Sequence, residues 1–401
     1  MCGICGIFSK SGMPDLKDRV LTMREQLVHR GPDSAGLFVA HDGGLGVRRL
    51  SIVDIEGSDQ PLYNEDKSIV MVYNGMIYNF KELRAELQAK GHRFTTNGDG
   101  EVIIHLFEQE GIRGLGRLNG MFAIALYDLR HSDLFLVRDQ IGIKPLYVAE
   151  KNGMVCFASE VKAILAADVF SPTLNSRSIE LFLAYNYIPG NGTLYKEIVA
   201  LKQGHYLCRN AKGDITVEQY WAVEDNAAVD AGHSEAEVPG IVERLNGLFA
   251  ESIERHLIAD VEVGCFLSGG LDSSALVHYM EMNPRGRLKT FTVGYDDPSY
   301  DERQFARAVT KKYDTEHIEM LCSERDVVNF LEALPRIGDM PIGDQASVST
   351  FLVSKLAHDH VKVCLSGEGG DEIFAGYPTY SANELYPMFD RLPDALLRFL
   401  L

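Results

Sequence analysis

The spacing of apolar residues predicts two regions with different architectures. Over roughly the first 220 residues, short runs of β-branched and aromatic residues alternate with Gly, Asn and Asp turn signals, a pattern typical of antiparallel strands. A few stretches with helical spacing interrupt these runs. Two stacked antiparallel sheets with helices outside, an α+β arrangement, account for the mixture. The predicted strands are Ser68–Tyr73, Met121–Asp128, Leu134–Val137 and Val155–Ala158, and the predicted helices are Asp15–Val28, Phe80–Lys90 and Gly100–Glu110.

Beyond residue 240, nearly continuous apolar strands alternate with helices, which predicts an α/β domain with a doubly wound parallel sheet. The stretch before it is rich in Ala, Asp, Glu and Val and lacks periodicity, so we expect a linker at 221–240 between domains at 2–220 and 241–401. The strands predicted here are Val261–Leu267, Phe291–Tyr295, His317–Met320 and Val361–Leu365, and the helices are Ile241–Leu257, Ser273–Met282, Glu302–Lys312, Arg325–Leu334 and Ser347–Ala357.

Composition and charge exclude several classes of function. A chain of 401 residues exceeds what one hydrophobic core sustains, which supports two domains. Its 39 basic and 57 acidic residues give a net charge of −18, which repels nucleic-acid backbones and anionic membranes. No apolar run approaches the roughly 18 residues that span a membrane, and the first residues do not resemble a signal peptide. Since the seven scattered Cys are typical of reduced thiols, we expect a cytoplasmic protein. From the net charge and the short apolar runs we expect it to bind neither nucleic acid nor membrane.

The second residue, Cys2, is a candidate nucleophile. Removal of Met1 would place a thiol and a free α-amino group on one residue, and that amine can act as the base for its own thiol. Cys2 also forms a C-x-x-C pair with Cys5, and such a pair by itself is equally typical of a redox or metal site or of two inert thiols. Cys2 alone therefore leaves its role open.

Six short motifs decide between these alternatives because they occur in a specific order. Each motif is weak by itself; residues 30–33 form an ordinary turn signal, and the pair 74–75 is a common hairpin signal. Together they resemble the class II glutamine amidotransferases, whose domain is an αββα sandwich of the N-terminal-nucleophile hydrolase class. The resemblance covers residues 2 to about 200. The motifs are Cys2–Phe8, Arg30–Asp33, Arg49–Asp54, Tyr73–Asn79, Asp99–Glu101 and Arg138–Tyr147.

The resemblance implies catalytic and binding roles. Cys2 would attack the side-chain amide of glutamine, while the Asn74 side chain and the Gly75 N–H would form the oxyanion hole. Arg49 would hold the glutamine α-carboxylate in a charge-assisted pair, and Asp99 would hold the α-ammonium group.

The chain departs from the family pattern at one position of this pocket. Met76 stands where a Glu usually follows the Asn-Gly pair, and the lost carboxylate puts the affinity for glutamine in question more than the mechanism. The implied glutamine-binding residues are Arg49, Leu50, Ile52, Val53, Asn74, Gly75, Met76 and Asp99.

A glycine-rich loop in the second region is a candidate phosphate site. The residues Ser268–Ser274 lie between a predicted strand and a predicted helix, where backbone N–H groups and the helix dipole favour an anion. The spacing differs from that of a Walker A loop. Because Asp272 would repel a polyphosphate, it fits such a loop only with a bound cation such as Mg²⁺. A bare Ser-Gly-Gly is also typical of an ordinary turn with a Ser helix cap.

The full string Ser268–Ser273 resembles the pyrophosphate loop of ATP pyrophosphatases. A second loop, Leu365–Tyr377, follows another strand, and together with the N-terminal domain it resembles the glutamine-hydrolysing asparagine synthetases. The segment Pro341–Asp344 matches a family segment that lines the cleft. The resemblance implies ATP contacts from Leu267, Ser268, Gly269, Gly270, Asp272, Ser273, Val293, Ser366 and Gly367, Mg²⁺ ligands Asp272 and Asp371, and an acceptor contact from Glu372.

The resemblance implies an ATP-dependent amide synthesis in which glutamine supplies ammonia to an adenylated carboxylate, with aspartate as acceptor and ATP and Mg²⁺ required. Two alternatives stay open: a relative that amidates another acid, such as a sugar acid, a peptide carboxylate or a β-lactam precursor, and a non-catalytic sensor of glutamine or nucleotide. The oligomeric state is also open, a homodimer being one option. Family members continue well past residue 401 and carry a downstream lysine without a counterpart here, so glutaminase activity is expected even of a chain whose synthetase half is incomplete, and glutamate release and pyrophosphate release are to be assayed separately.

Overall fold

The computed structural model describes residues 1–223, 236–283 and 286–383. Most of the predicted linker, residues 224–235, and the last 18 residues of the predicted second domain lie outside the described residues. Packing divides the chain into a first unit, Met1–Val261 with Glu324–Phe351, and a second unit, Glu262–Ser323 with the chain from Leu352 onward. The domain boundaries expected from the sequence stay a prediction.

Strands dominate the first 220 residues, and helices and parallel strands alternate afterwards. The strands are β1 (Gly3–Phe8), β2 (Ser34–Val39), β3 (Gly43–Arg49), β4 (Leu62–Tyr63), β5 (Ile69–Ile77), β6 (Gly120–Asp128), β7 (Asp133–Arg138), β8 (Tyr147–Lys151), β9 (Met154–Ala158), β10 (Ile198–Ala200), β11 (His205–Arg209), β12 (Ile215–Gln219), β13 (Val263–Phe266), β14 (Lys289–Tyr295), β15 (Glu316–Cys322) and β16 (Val363–Leu365). The helices are α1 (Leu16–Glu25), α2 (Phe80–Ala89), α3 (Glu101–Glu110), α4 (Val161–Ala166), α5 (Ser176–Tyr185), α6 (Val238–His256), α7 (Leu271–Glu281), α8 (Arg303–Tyr313), α9 (Glu324–Ile337), α10 (Ala346–His358), α11 (Gly370–Phe374) and α12 (Pro378–Asn383), and a 3-10 helix spans Ile112–Arg117.

The first unit is an αββα sandwich, which confirms the predicted fold of this region. Its strands form two six-stranded antiparallel sheets, in the orders β10-β8-β9-β1-β3-β2 and β12-β11-β7-β6-β5-β4. Apolar side chains of β1, β3, β5, β6 and β7 fill the layer between the sheets. Helices α2 and α3 cover the outer face of the second sheet, while α1 and α4 cover the outer face of the first. Both sheets are therefore buried on both faces, which explains the unbroken apolar run of β6.

The second unit contains a four-stranded parallel sheet, as predicted. Its strand order is β15-β14-β13-β16. Phe291 of β14 packs against Ala357 and Val361 in its core. The chain moves outward from β13 through β14 to β15 and then returns to the other side of β13 with β16. Strand order thus reverses between β13 and β16, and ligands of open parallel sheets bind at the carboxyl ends of strands at such a reversal.

All of the predicted strands and helices are present, with ends that differ by a few residues. Two central strands, β1 and β3, are not among them because they are rich in glycine, which has a low strand propensity. Their glycines allow close packing: a Cβ on Gly6 would lie 2.6 Å from the Gly44 carbonyl oxygen and from the Phe157 ring. Within the described ranges, no helix is both long and apolar enough to cross a membrane.

Candidate active sites

One end of the layer between the two sheets of the first unit gathers the residues predicted to bind glutamine. Side chains alternate along a strand, so Arg49 shares the inner face of β3 with Leu45 and Val47, which lie in the core between the sheets. By the same alternation Asn74 shares a face with Val72, and Cys2 with Ile4. Cys2, Arg49 and Asn74 therefore face the same layer, where β1 begins and β3 ends.

The thiol of Cys2 is largely enclosed. Its Sγ accepts a hydrogen bond from the Leu50 N–H at 3.4 Å. Burial raises the pKa of the thiol, while that N–H, the α-amino group of the chain and Arg49 favour the thiolate. Burial also lowers the pKa of the Met1 α-amino group to about 6; this amine is distinct from the α-amino group that Cys2 would carry once Met1 is removed.

Arg30 and Glu160 hold the backbone of the candidate nucleophile. Arg30 Nε donates to the Cys2 carbonyl oxygen at 3.0 Å, and its NH1 donates to Glu160 Oε1 at 2.9 Å. Burial alone would raise the pKa of Glu160, but hydrogen bonds from His29, Lys162 and Arg30 outweigh burial and lower it to about 2. The Arg30 guanidinium is thus bound on one side to the ionised Glu160 carboxylate and on the other to the Cys2 carbonyl oxygen.

Asn74 carries the most informative polar group of the site. Its side chain is 1% exposed, and its Nδ2 has no hydrogen-bond partner within the described part of the chain. A buried donor without an acceptor costs about 1–3 kcal/mol, and a hydrogen bond to a ligand is one way in which such a group is satisfied. The adjacent residue is fixed from both sides, because the Gln60 amide donates to the Tyr73 carbonyl at 3.0 Å and accepts from the Tyr73 N–H at 2.7 Å.

Gly75 continues strand β5 beside Asn74 and forms no turn. A Cβ at this position would lie 2.3 Å from the Met121 carbonyl oxygen and 2.8 Å from Phe122 Cα. The close approach of β5 to β6 therefore requires glycine here, in addition to any need for space beside a substrate.

Asp99 is buried and fully engaged. Its two carboxylate oxygens accept from the Tyr73 O–H at 2.7 Å and from the Ile77 N–H at 2.8 Å. Burial raises the pKa of Asp99, although these two hydrogen bonds and the charge of Arg49 act in the opposite direction. Both Asp99 and Arg49 influence the pKa of Cys2, which places all three within electrostatic reach of one another.

The Arg49 guanidinium is 4% exposed and orders the segment that follows it. It donates to the carbonyls of Val53 at 3.1 Å, Asp54 at 2.8 Å and Ile55 at 3.0 Å, and to Asp59 Oδ1 at 3.0 Å. A bidentate contact with a glutamine carboxylate stays a prediction.

The remaining predicted pocket residues lie nearby. Leu50 contacts the thiol as described, and the Ile52 carbonyl accepts from the Asp260 N–H at 2.9 Å. Met76 is partly buried and packs against the core beneath α2 and α3.

In the second unit, the candidate phosphate loop connects β13 to α7. Leu267 is buried, and its N–H donates to the Phe291 carbonyl at 2.9 Å. Gly269 has φ +85°, and a Cβ on it would lie 2.5 Å from the Ala306 nitrogen, so only glycine fits. Ser268 Oγ accepts from the Gly270 N–H at 3.2 Å and lies 3.1 Å from Ser273 Oγ, which folds the loop over the start of α7.

The second loop, after β16, approaches the first. A Cβ on Gly370 would lie 2.7 Å from Asp272 Oδ2, and one on Gly367 would lie 3.0 Å from Asp272 Cβ. The glycines thus leave beside this exposed carboxylate a space that side chains would fill. Asp371 follows on α11, and a Cβ on Gly376 would lie 2.0 Å from its Oδ1. Two carboxylates with adjacent space suit Mg²⁺, which binds one or two carboxylates together with phosphate oxygens.

The other predicted residues of this site occupy the same loops or the strand beside them. Val293 is half-buried on β14, and Ser366 is exposed directly after β16. Glu372 is exposed on α11 and accepts a hydrogen bond from the Tyr377 O–H at 2.9 Å. The Pro341–Asp344 segment groups with the first unit, where Gly343 lies against Asn186.

Comparison with known proteins gives consistent matches over the whole chain. A family model described as glutamine amidotransferase domain matches residues 1–221, and one described as asparagine synthase matches residues 244–400. The glutamine-hydrolysing asparagine synthetase 1 of Bacillus subtilis is 34% identical over 407 residues, covering 100% of this chain and 63% of that protein. A putative glutamine-hydrolysing asparagine synthetase 2 of Methanocaldococcus jannaschii is 32% identical over 419 residues, covering 99% and 79%.

Two further matches are another asparagine synthetase and a solved structure. A putative glutamine-hydrolysing asparagine synthetase of Mycobacterium bovis is 37% identical over 387 residues, covering 92% of this chain and 58% of that protein. The solved structure of the glutamine phosphoribosylpyrophosphate amidotransferase of B. subtilis gives a TM-score of 0.43 at 15% identity, covering 87% of this chain and 96% of that one. The chain therefore spans between 58% and 79% of the length of the three relatives named.

Proposed function

This chain belongs to the family of glutamine-hydrolysing asparagine synthetases, and on that premise we propose that it couples glutamine hydrolysis in the first unit to ATP-dependent amidation of aspartate in the second. Glutamine, aspartate, ATP and Mg²⁺ are the small molecules this requires, and the cytoplasm is the compartment that supplies them. A homodimer is the assembly we propose.

Before any catalysis, removal of Met1 leaves Cys2 with its own α-amino group. The amine takes the thiol proton as Sγ attacks the amide carbon of glutamine, and the carbonyl π electrons move onto the oxygen. Asn74 Nδ2 and the Gly75 N–H donate to that oxyanion. The amine returns the proton to the leaving nitrogen, ammonia departs, and water then cleaves the thioester to give glutamate.

In the second unit the two glycine-rich loops would bind ATP. Backbone N–H groups of the first loop and the N-terminus of α7 face the phosphates, and the buried Leu267 together with Val293 lies beside the adenosine. Asp272 and Asp371 would hold Mg²⁺, which when bound neutralises charge on the departing pyrophosphate. The aspartate carboxylate would be adenylated near Glu372, and ammonia would displace AMP to form the amide.

One observation supports the hydrolytic half most directly: the buried Asn74 amide nitrogen lacks a partner within the described residues and faces the layer that also contains Cys2 and Arg49.

The test measures glutamate release from glutamine and asparagine formation with ATP, Mg²⁺ and aspartate in separate assays. Cys2→Ala should lower glutamate release by at least about a thousandfold. Cys208→Ala, a half-buried cysteine on β11, is the control and should leave it unchanged. Intact-mass measurement of the wild-type chain should show loss of Met1.

Two results would overturn the proposal. One is glutamate release by Cys2→Ala at the wild-type rate. The other is amide formation that depends on a sugar acid or a peptide carboxylate in place of aspartate when these acids are compared at equal concentration.

A further inference from the structure

Two histidines and two glutamates of the first unit form a compact cluster beneath its outer helices. Glu65 follows β4, His92 follows α2, and His105 and Glu108 lie on α3. One donor atom from each side chain lies within 4.8 Å of all the others. Across residues 1–223, 236–283 and 286–383, no other set of three or more His, Cys, Asp or Glu donors meets this distance.

The distances within the cluster approach those of a four-coordinate metal site. His105 Nδ1 lies 3.3 Å from Glu108 Oε2 and 3.6 Å from Glu65 Oε2. His92 Nδ1 lies 3.8 Å from Glu65 Oε1 and 3.9 Å from Glu108 Oε2. Ligands at about 2.0–2.1 Å from a tetrahedral Zn²⁺ are separated by roughly 3.3 Å. Small side-chain rotations therefore suffice to close the four donors around an ion.

Both imidazole rings are oriented for ligation through Nδ1. The Nε2 of His105 lies 3.5 Å from the Glu101 carboxylate, and the Nε2 of His92 lies 3.2 Å from Gln109 Oε1. Metal binding through Nδ1 would leave the hydrogen of each ring on Nε2, where the Glu101 carboxylate and Gln109 Oε1 can accept it. A carboxylate behind a ligating histidine is a recurrent feature of metal sites.

The surrounding residues fix the carboxylates from behind. Glu108 Oε1 accepts from Asn64 Nδ2 at 2.8 Å, which leaves Oε2 towards the cluster. Glu65 Oε1 accepts from the Arg93 N–H at 2.8 Å. Glu101 is held by the backbone N–H groups of Thr95 at 2.8 Å and Thr96 at 2.7 Å.

Burial and charge favour a dication at this point. His105 is fully buried. Three carboxylates, of Glu65, Glu101 and Glu108, surround its ring, so their charges need compensation. Two imidazole and two carboxylate ligands suit Zn²⁺ and Co²⁺, whereas Mg²⁺ and Ca²⁺ prefer oxygen ligands alone.

We propose that Glu65, His92, His105 and Glu108 bind one divalent transition-metal ion of the Zn²⁺ class. With four protein ligands the site is closed and structural. It ties the end of β4 and the segment after α2 to α3, the helix that begins two residues after Asp99.

The experiment adds Zn²⁺ and, as a spectroscopic probe, Co²⁺ to chelator-treated, full-length chain without ATP. We expect one equivalent of Zn²⁺, visible-region absorption of tetrahedral intensity with Co²⁺, and a higher melting temperature with either ion. His92→Gln and Glu65→Gln should each weaken this binding at least tenfold. His41→Gln, an exposed histidine outside the cluster, is the matched control.

His92 and Glu65 were chosen for substitution because their side chains are exposed at least in part, whereas His105 is fully buried. Changing an exposed side chain is less disruptive to the fold, so a loss of metal binding then reports on the ligands. Metal bound with unchanged affinity in both variants would place it at other residues, such as the Cys2 thiol, and would overturn the proposal. Absence of any stoichiometric Zn²⁺ or Co²⁺ binding by the wild-type chain would overturn it too, leaving the cluster as a network of ion pairs and hydrogen bonds.

Discussion

At the scale of single residues, the unpartnered amide of Asn74 leads to a prediction that separates activity from stability. Asn74→Leu keeps the branched shape and the number of side-chain heavy atoms, and it removes a buried donor that has no acceptor among the described residues. The variant should unfold at the same or a slightly higher denaturant concentration, since the desolvation penalty of the amide disappears. Its kcat for glutamate release should fall by about 10²–10³, the usual effect of losing one oxyanion donor, with little change in KM.

Urea unfolding and steady-state kinetics on the same preparation check this prediction. A variant with reduced stability and unchanged kcat would contradict it, because Asn74 would then be a packing residue.

The ion pair behind Cys2 gives a second prediction at this scale. The pKa of Glu160 lies at about 2, below its ordinary value of 4.5, so the carboxylate stabilises the fold above about pH 5 and loses this effect as the pH falls towards 2. Glu160→Gln should lower the free energy of unfolding by about 1–3 kcal/mol at pH 7, and the difference from wild type should shrink in acid. Arg30, which donates to the Cys2 carbonyl, would lose its carboxylate partner. Because Arg30 would then hold Cys2 less firmly, the glutaminase kcat should fall as well.

The measurement is chemical unfolding at several pH values between neutrality and about pH 3. Glu150→Gln, an exposed glutamate on β8, serves as the matched control and should show no pH-dependent difference. A loss of stability in Glu160→Gln that stays constant with pH would refute the electrostatic explanation.

The sequence motifs mark Arg30 as well as the residues that would touch substrate, but they do not show what Arg30 contacts. Cys2, Arg49 and Asn74 belong to ordered strings and are brought together by the fold. Arg30 and Glu160 are separated by 130 residues, so nothing in their local sequence indicates that they meet. Likewise, Gln60 is recognised as the clamp on Tyr73 only when its two hydrogen bonds are seen.

At the scale of elements, the same limit applies to strands. Runs of apolar, β-branched and aromatic residues predict β6 and β14, because side-chain burial on a pleated surface is a local property. The central strand β3 contains Gly43, Gly44 and Gly46, and its place depends on contacts with neighbouring strands that sequence periodicity does not encode. The pair Asn74-Gly75, a hairpin signal in isolation, lies inside β5 because the flanking residues pair continuously with β6.

The pairing of β5 with β6 yields a prediction about glycine. Gly75→Ala forces a Cβ to within 2.3 Å of the Met121 carbonyl oxygen, so β5 and β6 must separate locally. The free energy of unfolding should fall by about 1–3 kcal/mol, and glutaminase activity should fall with it because the neighbouring amide moves. Thermal and urea unfolding with a parallel activity assay measure both effects.

The matched control is Gly247→Ala on the exposed face of α6, where a Cβ meets no atom within 4 Å. Alanine there should stabilise the helix by about 0.5–1 kcal/mol. Equal effects of the two substitutions would contradict the steric argument.

At the scale of the whole molecule, two units with separate cores imply that each active site is disrupted independently. The first unit has its own apolar layers around two sheets, and the second has a core around Phe291. Sequence order alone does not reveal that Glu324–Phe351 groups with the first unit, since periodicity carries no information on long-range packing. The boundaries at 220 and 241 therefore stay predictions, to be tested by limited proteolysis.

Asp272 provides the sharpest test of this independence, because the sign of its effect on ATP depends on Mg²⁺. If Asp272 holds Mg²⁺ as proposed, its carboxylate, exposed at the start of α7, should repel the phosphates of ATP without the cation and attract them through the bound ion with it. In calorimetric titrations Asp272→Asn should weaken binding of Mg²⁺–ATP at least tenfold and leave binding of metal-free ATP equal or tighter. Glutamate release should stay within about twofold of wild type, since Cys2 and its neighbours lie in the other unit.

Asp296→Asn, an exposed carboxylate after β14, controls for the loss of one negative charge and should change neither titration. Equal weakening of ATP binding with and without Mg²⁺ would show that Asp272 holds the loop rather than a cation, and a parallel loss of glutaminase activity would show that the two units do not act independently.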